Sequence, residues 1–137
     1  MTLPIKILLV DDDEVSNYIN SELIENIGIS SQVKVCENGR EAIDYLTSLE
    51  TNENQQIPQL ILLDLNMPEM NGFGFLEAYQ DLPDNVSADV IIILLTTSIS
   101  EEDKEKIKKV HNSEIVFLEK PLTISDLERI KNQYFIS

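Results

Sequence analysis

Short apolar runs alternate with longer stretches in which apolar residues recur every three or four positions, and the alternation repeats five times along the chain. Residues 5–10, 60–64 and 89–95 are almost unbroken aliphatic runs, the pattern of strands buried on both faces of a parallel sheet. Residues 31–36 alternate more weakly, as an edge strand does, and 115–118 form a fifth short run. Five helical patterns lie between and after these runs. The first carries Val15, Ile19, Leu23 and Ile27 on one stripe, with Gly28 as its C-terminal stop. The second follows the Asn38-Gly39 turn and carries Ala42, Ile43, Leu46 and Leu49. The third follows Gly72, with Phe73, Leu76 and Tyr79 at helical spacing. The fourth, 100–110, is strongly charged, with a thin apolar stripe at Ile107 and Val110. The fifth opens at Ser125-Asp126 and runs through Tyr134, with Leu127 and Ile130 facing inward. In the first half, only 50–58 reads as an extended polar loop.

This alternation predicts an α/β fold, a parallel sheet with helices on both faces. Right-handed crossovers make it a three-layer sandwich. Strands one, three and four are the most apolar and are expected at its centre. The 137 residues are expected to form one domain, 1–137, with no output domain attached. No apolar run approaches the roughly 18 residues that a membrane span needs. The start of the chain has no signal-like segment. The single cysteine, Cys36, forms no internal disulfide and fits a reducing compartment, so the cytoplasm is the expected location. Cys36 itself reads as a small buried hydrophobe. A formal charge of −15, from 25 acids against 10 bases, disfavours nucleic acid and anionic membrane as partners.

The chemistry gathers where the strands end, the edge at which ligands bind in such sheets. The first strand delivers Asp11 and Asp12, the third Asp64, the fourth Thr96 and Thr97, and the fifth Lys120. If those strands are neighbours, the side chains converge. Clustered carboxylates remain ionised cheaply only when a cation joins them. Oxygen ligands with room for water suit Mg²⁺. The lysine and a threonine hydroxyl could then hold an incoming anion, which points to phosphoryl chemistry at an aspartate. Each residue also has a plainer explanation. Asp13 and Glu14 fit as acids at a helix N-terminus. The threonines fit as β-branched strand residues, and Lys120 as a surface lysine before a turn. Asp64 is a poor helix cap, because Pro68 and Gly72 place the next helix well beyond it.

Val10-Asp11-Asp12, Asp64-Leu65-Asn66-Met67-Pro68 with Gly72, Thr96, and Lys120-Pro121 span almost the whole chain. In that joint spacing the sequence resembles the receiver domain of two-component response regulators, in the single-domain form of chemotaxis-type and phosphorelay regulators. The resemblance implies a flavodoxin-like three-layer sandwich of strand order 2-1-3-4-5, flanked by five helices. It implies that Asp64 is the phosphoacceptor. It also implies that Asp12, Asp64 and the backbone carbonyl of Asn66 bind Mg²⁺ (or Mn²⁺), with Asp11 acting through water. Thr96 and Lys120 are implied to contact the phosphoryl oxygens, and Phe117 takes the place of the aromatic switch residue. Pro68, Gly72 and Pro121 are implied to be structural, with the Lys120–Pro121 bond cis.

The implied function is a phosphorylation-dependent signalling switch. A sensor histidine kinase or a histidine phosphotransfer protein supplies the phosphoryl group, and its recognition is expected to involve the first helix from Val15 to Leu23 and the loop after Phe117. The face made by the fourth predicted helix, the fifth strand and the fifth predicted helix then changes shape and alters binding of a downstream protein, whose identity is unknown. Hydrolysis of the aspartyl phosphate resets the switch, so the only chemistry expected is self-phosphotransfer and autodephosphorylation. Phe117 lacks the hydroxyl of the equally common tyrosine. Thr97 is bulkier than the family's usual residue and is expected to narrow access to Asp64. Asn66 and Ser98, flanking the phosphoryl site, are candidates with Thr97 for tuning the reaction.

Two other classes of function compete with this one. A haloacid dehalogenase-type phosphatase also forms an aspartyl phosphate with Mg²⁺, but it needs a second acid two residues after its nucleophile, where this chain has Asn66. A pseudo-receiver, a binding module of the same fold, usually lacks the acceptor, a pocket acid or the lysine, and this chain has all three. Neither a G-x-x-x-x-G-K-[ST] nor a G-x-G-x-x-G loop is present to cradle a nucleotide. His111, the only histidine, reads as a surface residue.

Overall fold

The aliphatic runs become the strands of a single sheet. The computed structural model describes residues 5–51, 57–65, 67, 70–87, 90–97, 100–110 and 115–135. The strands are β1 (Ile5–Val10), β2 (Ser30–Cys36), β3 (Leu60–Asp64), β4 (Ile91–Thr96) and β5 (Val116–Glu119). All pair in parallel, in the order β2-β1-β3-β4-β5. The helices are α1 (Glu14–Asn26), α2 (Gly39–Ser48), α3 (Gly72–Tyr79), the single turn α4 (Asp84–Ser87), α5 (Glu101–Val110) and α6 (Ile124–Tyr134). This is the flavodoxin-like sandwich, with five principal helices and one extra turn that the sequence pattern does not announce.

Strand side chains alternate between faces, so each central strand feeds two cores. Leu8, Val10, Ile61, Leu63, Ile92 and Leu94 pack toward α2, α3 and Ile107 of α5. Ile7, Leu9, Leu60, Leu62, Ile93 and Leu95 pack toward Ile24 of α1 and Leu127 and Ile130 of α6. The helices begin where short polar side chains satisfy their first amides. Asp13 accepts from the Val15 amide at 3.1 Å, and Asn38 from the Glu41 amide at 2.8 Å. Thr123 and Asp126 form a reciprocal capping box. Gly28 ends α1 with φ of +69°, a left-handed conformation that only glycine adopts without strain.

Several elements differ from the sequence expectation. The Val15/Ile19 stripe of α1 does not face the core, and both side chains are exposed. The inward row is Asn17, Asn20 and Ile24, polar at the end that abuts Asp11 and apolar only lower down. Helix α3 buries Phe75, Leu76 and Tyr79, leaving Phe73 half-buried on its flank. Helix α6 starts at Ile124, because Thr123 is the cap and Asp126 its third residue rather than its opener. Strand β5 runs one residue later than its apolar run, since its pairing with β4 carries on to Thr96 and Glu119. Asn66, Pro68, Ser98 and His111 lie outside the described residues, as does most of the 50–58 loop.

Candidate functional site

The strand order places the ends of β1, β3 and β4 side by side, and Asp64 pairs with Leu95, one residue before Thr96. Asp11 follows β1, and its amide bonds the Cys36 carbonyl at 3.1 Å, so the sheet register continues into the acidic loop. Asp11 and Asp64 are buried at this edge, while Asp12 is exposed beside them. One carboxylate oxygen from each of Asp11, Asp12 and Asp64 lies within 4.8 Å of the others. Lys120 projects into the same place from the end of β5. Its ammonium donates to Asp11 Oδ2 at 3.1 Å and pairs with Asp64 Oδ1 at 3.0 Å.

Partial burial alone would lower the Lys120 pKa, but the hydrogen bond to Asp64 and the charges of Asp11 and Asp64 outweigh it and hold the ammonium above its ordinary value. Three carboxylates still face one ammonium, so the pocket keeps excess negative charge on an all-oxygen donor set. That is the chemistry of a hard divalent cation. The exposed Asp12 leaves such an ion open to water and to an incoming group. These residues therefore fit Mg²⁺ or Mn²⁺.

The surrounding backbone fixes this geometry. Asp11 Oδ1 accepts the Asp13 amide at 2.9 Å, and the Asn17 side-chain amide donates to the Asp11 carbonyl at 2.9 Å. The Lys120 amide donates to the Thr96 carbonyl at 2.8 Å, and the Lys120–Pro121 peptide is cis. On the other side of Asp64, the Gly72 amide bonds the Leu65 carbonyl at 2.9 Å. A Cβ at Gly72 would stand 3.0 Å from Leu65 Cα and 3.2 Å from the Asp64 carbonyl, so this close approach needs glycine. Thr96 is buried, Thr97 is exposed, and Phe117 is half-buried on β5 opposite Leu94.

The response regulator receiver domain profile matches residues 7–131. The chain belongs to the response regulator receiver family. It is 31% identical over 124 residues to the response regulator Rcp1 of Synechocystis, covering 90% of this chain and 82% of that protein. It is also 33% identical over 131 residues to the hybrid signal transduction histidine kinase B of Dictyostelium discoideum, covering 89% of this chain and only 6% of that long protein. Its structure superposes on the crystal structure of a response regulator receiver protein from Dyadobacter fermentans with a TM-score of 0.78. The two chains are 30% identical, and the match covers 96% of this chain and 98% of that one.

The receiver domain brings together Asp11, Asp12, Asp64, Thr96 and Lys120, all delivered by strand ends. Asn17 is a site residue that the sequence pattern did not single out. Its signal is an inward row at 17, 20 and 24 that starts with two asparagines, placing an amide beneath the acidic loop. A cavity of about 320 Å³ opens beside Lys120, lined by Ile19 and Asn20 of α1, Leu95, Thr97, Pro121 and Leu122. It too was unannounced, because it forms only where α1 meets the loop after β5. Cys36 is buried behind the site, and desolvation pushes its thiol up to about 11.

Proposed function

We propose that this receiver domain is a switch thrown by phosphorylation of Asp64, with a phosphohistidine as donor. The observation that carries the reading is the Lys120 ammonium held at 3.1 and 3.0 Å from Asp11 and Asp64 within a three-carboxylate cluster. An Asp64 oxygen attacks phosphorus in line, the new O–P bond forms as the P–N bond breaks, and the bonding pair returns to the imidazole nitrogen. Two anions must approach each other in this step, so positioning and charge neutralisation supply most of the catalysis. Asp11, Asp12 and Asp64 would hold a divalent cation, which when bound offsets negative charge on the transferring group. Lys120 supplies the protein's own positive charge, already within reach of the acceptor. The Thr96 hydroxyl, one position past the residue paired with Asp64, is the donor for a phosphoryl oxygen.

The acyl phosphate adds roughly one to two negative charges to the pocket. Lys120 and Thr96 then have a new partner, and their movement is read by Phe117 and by the face made of α5, β5 and α6. The result is a population shift between two packings, with a changed face for a downstream protein. Hydrolysis of the acyl phosphate by water restores the starting state, so the chemistry stores a signal rather than turning over a substrate.

The donor is a histidine kinase or a histidine phosphotransfer protein docked on α1. Val15, Tyr18 and Ile19 of α1 and Ile124 of α6 are exposed apolar side chains, at 65%, 68%, 51% and 45%, and Ile19 also lines the cavity beside Lys120. Apolar residues rimming a reactive pocket suit an apolar partner surface. Beryllofluoride with Mg²⁺, a mimic of the acyl phosphate, tests the switch. Backbone NMR shifts are expected at Thr96, Phe117 and α5 in the wild type and none in Asp64→Asn. Shifts absent from the wild type, or retained in Asp64→Asn, contradict the reading.

A further inference from the structure

Helix α5 is built almost wholly of charge, with Ile107 and Val110 the only uncharged residues of its ten. Among its described side chains, Ile107 alone is buried. Two of its lysines reach aromatic rings of neighbouring elements. Lys106 Nζ lies 4.2 Å from the centroid of the Phe73 ring on α3, and Lys104 Nζ lies 6.0 Å from the centroid of the Phe117 ring on β5. Residues two apart on a helix point about 200° away from each other. The two lysines therefore grip rings on opposite flanks, and Lys104 is steadied by Glu101 at 3.4 Å.

We infer that Lys104 is a positioning residue of the switch, whose ammonium holds the Phe117 ring in its resting arrangement. The inference rests on the reading of Asp64 and Phe117 given above. A phenylalanine ring has no hydroxyl through which its orientation could be fixed by hydrogen bonding, so packing and the charge over its face must fix it. The half-buried ring turns toward α5, where Lys104 meets it. A turn of the ring away from α5 breaks that contact. The contact thus belongs to one of the two packings and biases the equilibrium by a factor of about two to five, the range for an exposed ammonium over a ring. Lys106, gripping Phe73, makes the same kind of contact without touching the switch ring.

Three variants test this in the full chain, with affinity for beryllofluoride in Mg²⁺ read by fluorine NMR and the Phe117 ring followed by its own resonances. Lys104→Met keeps the length and loses the charge. Lys104→Arg keeps the charge. Lys106→Met removes an equal charge from the same helix, matching any long-range effect on an anion. Lys104→Met is expected to bind about two to five times more tightly than Lys106→Met and to shift the ring resonances before ligand is added, with Lys104→Arg close to wild type. A role in folding alone would weaken binding or leave it unchanged. Equal affinity in Lys104→Met and Lys106→Met, or an equal change in Lys104→Arg, overturns the inference while leaving the Asp64 reading intact. A wild type that binds no beryllofluoride overturns both.

Discussion

Lys120 serves two carboxylates at once, and its removal leaves Asp11 and Asp64 buried, adjacent and without an ammonium. Lys120→Met is therefore expected to destabilise the metal-free domain by about 1–3 kcal/mol near neutral pH, measured by urea unfolding. The pH dependence has a definite sign. The native pKa of Lys120 is raised above its ordinary 10.5, so the pairing contributes fully below that value and is lost as pH rises through the higher native one. The stability gap between wild type and Lys120→Met should close in strongly alkaline solution. A gap that widens there would show that the ammonium is not what the methionine lacks. Asp13 takes a separate part. Its carboxyl is held below the usual range first by the Ser16 hydroxyl, 2.8 Å away, and it caps α1 rather than joining the cluster.

At the scale of elements, α1 serves two purposes, and its sequence records both. Its outer row of Val15, Tyr18 and Ile19 is exposed, the surface proposed for a phosphoryl donor, while Asn17 on its inner row props the Asp11 loop. Ile19→Lys is expected to slow phosphotransfer from a histidine-bearing protein at least severalfold, while uptake from a small phosphoryl donor stays near wild type. Equal loss with both donors would place Ile19 in the chemistry or the fold instead of at a docking surface. The same helix shows why some elements are legible in sequence and others are not. Strands β1 and β3 could be bounded to the residue, because a largely apolar run closed by an acid has one sensible placement at a sheet edge. The face of α1 could not, since two apolar residues kept for the surface outweigh two asparagines kept for the site in any periodicity. Thr123 does not stand out as the cap in sequence, because Ser125 and Asp126 carry the same preference. Lys104 carries no sequence mark of a site, and Asn17 carries only the polar start of an inward row. Lys104 meets Phe117 of another segment, which only the assembled sheet brings to it, whereas Asn17 reaches back one helical turn and a loop to Asp11.

The whole molecule joins an acidic exterior to one strongly localised chemistry. Its charge of −15 repels the phosphorylated partner it is proposed to meet, so the donor must bring basic or apolar surface to the α1 side. Among the described residues no helix is long and apolar enough to cross a membrane. The parallel topology, in the order β2-β1-β3-β4-β5, sets Asp11, Asp64, Thr96 and Lys120 on one edge. The central claim is that this edge accepts a phosphoryl group at Asp64. Intact-mass measurement after incubation with acetyl phosphate and Mg²⁺ tests it most directly. The account predicts a gain of one phosphoryl group that is labile to hydroxylamine and absent from Asp64→Asn. A wild type that gains no mass, or an Asp64→Asn variant that gains the same labile group, would contradict it.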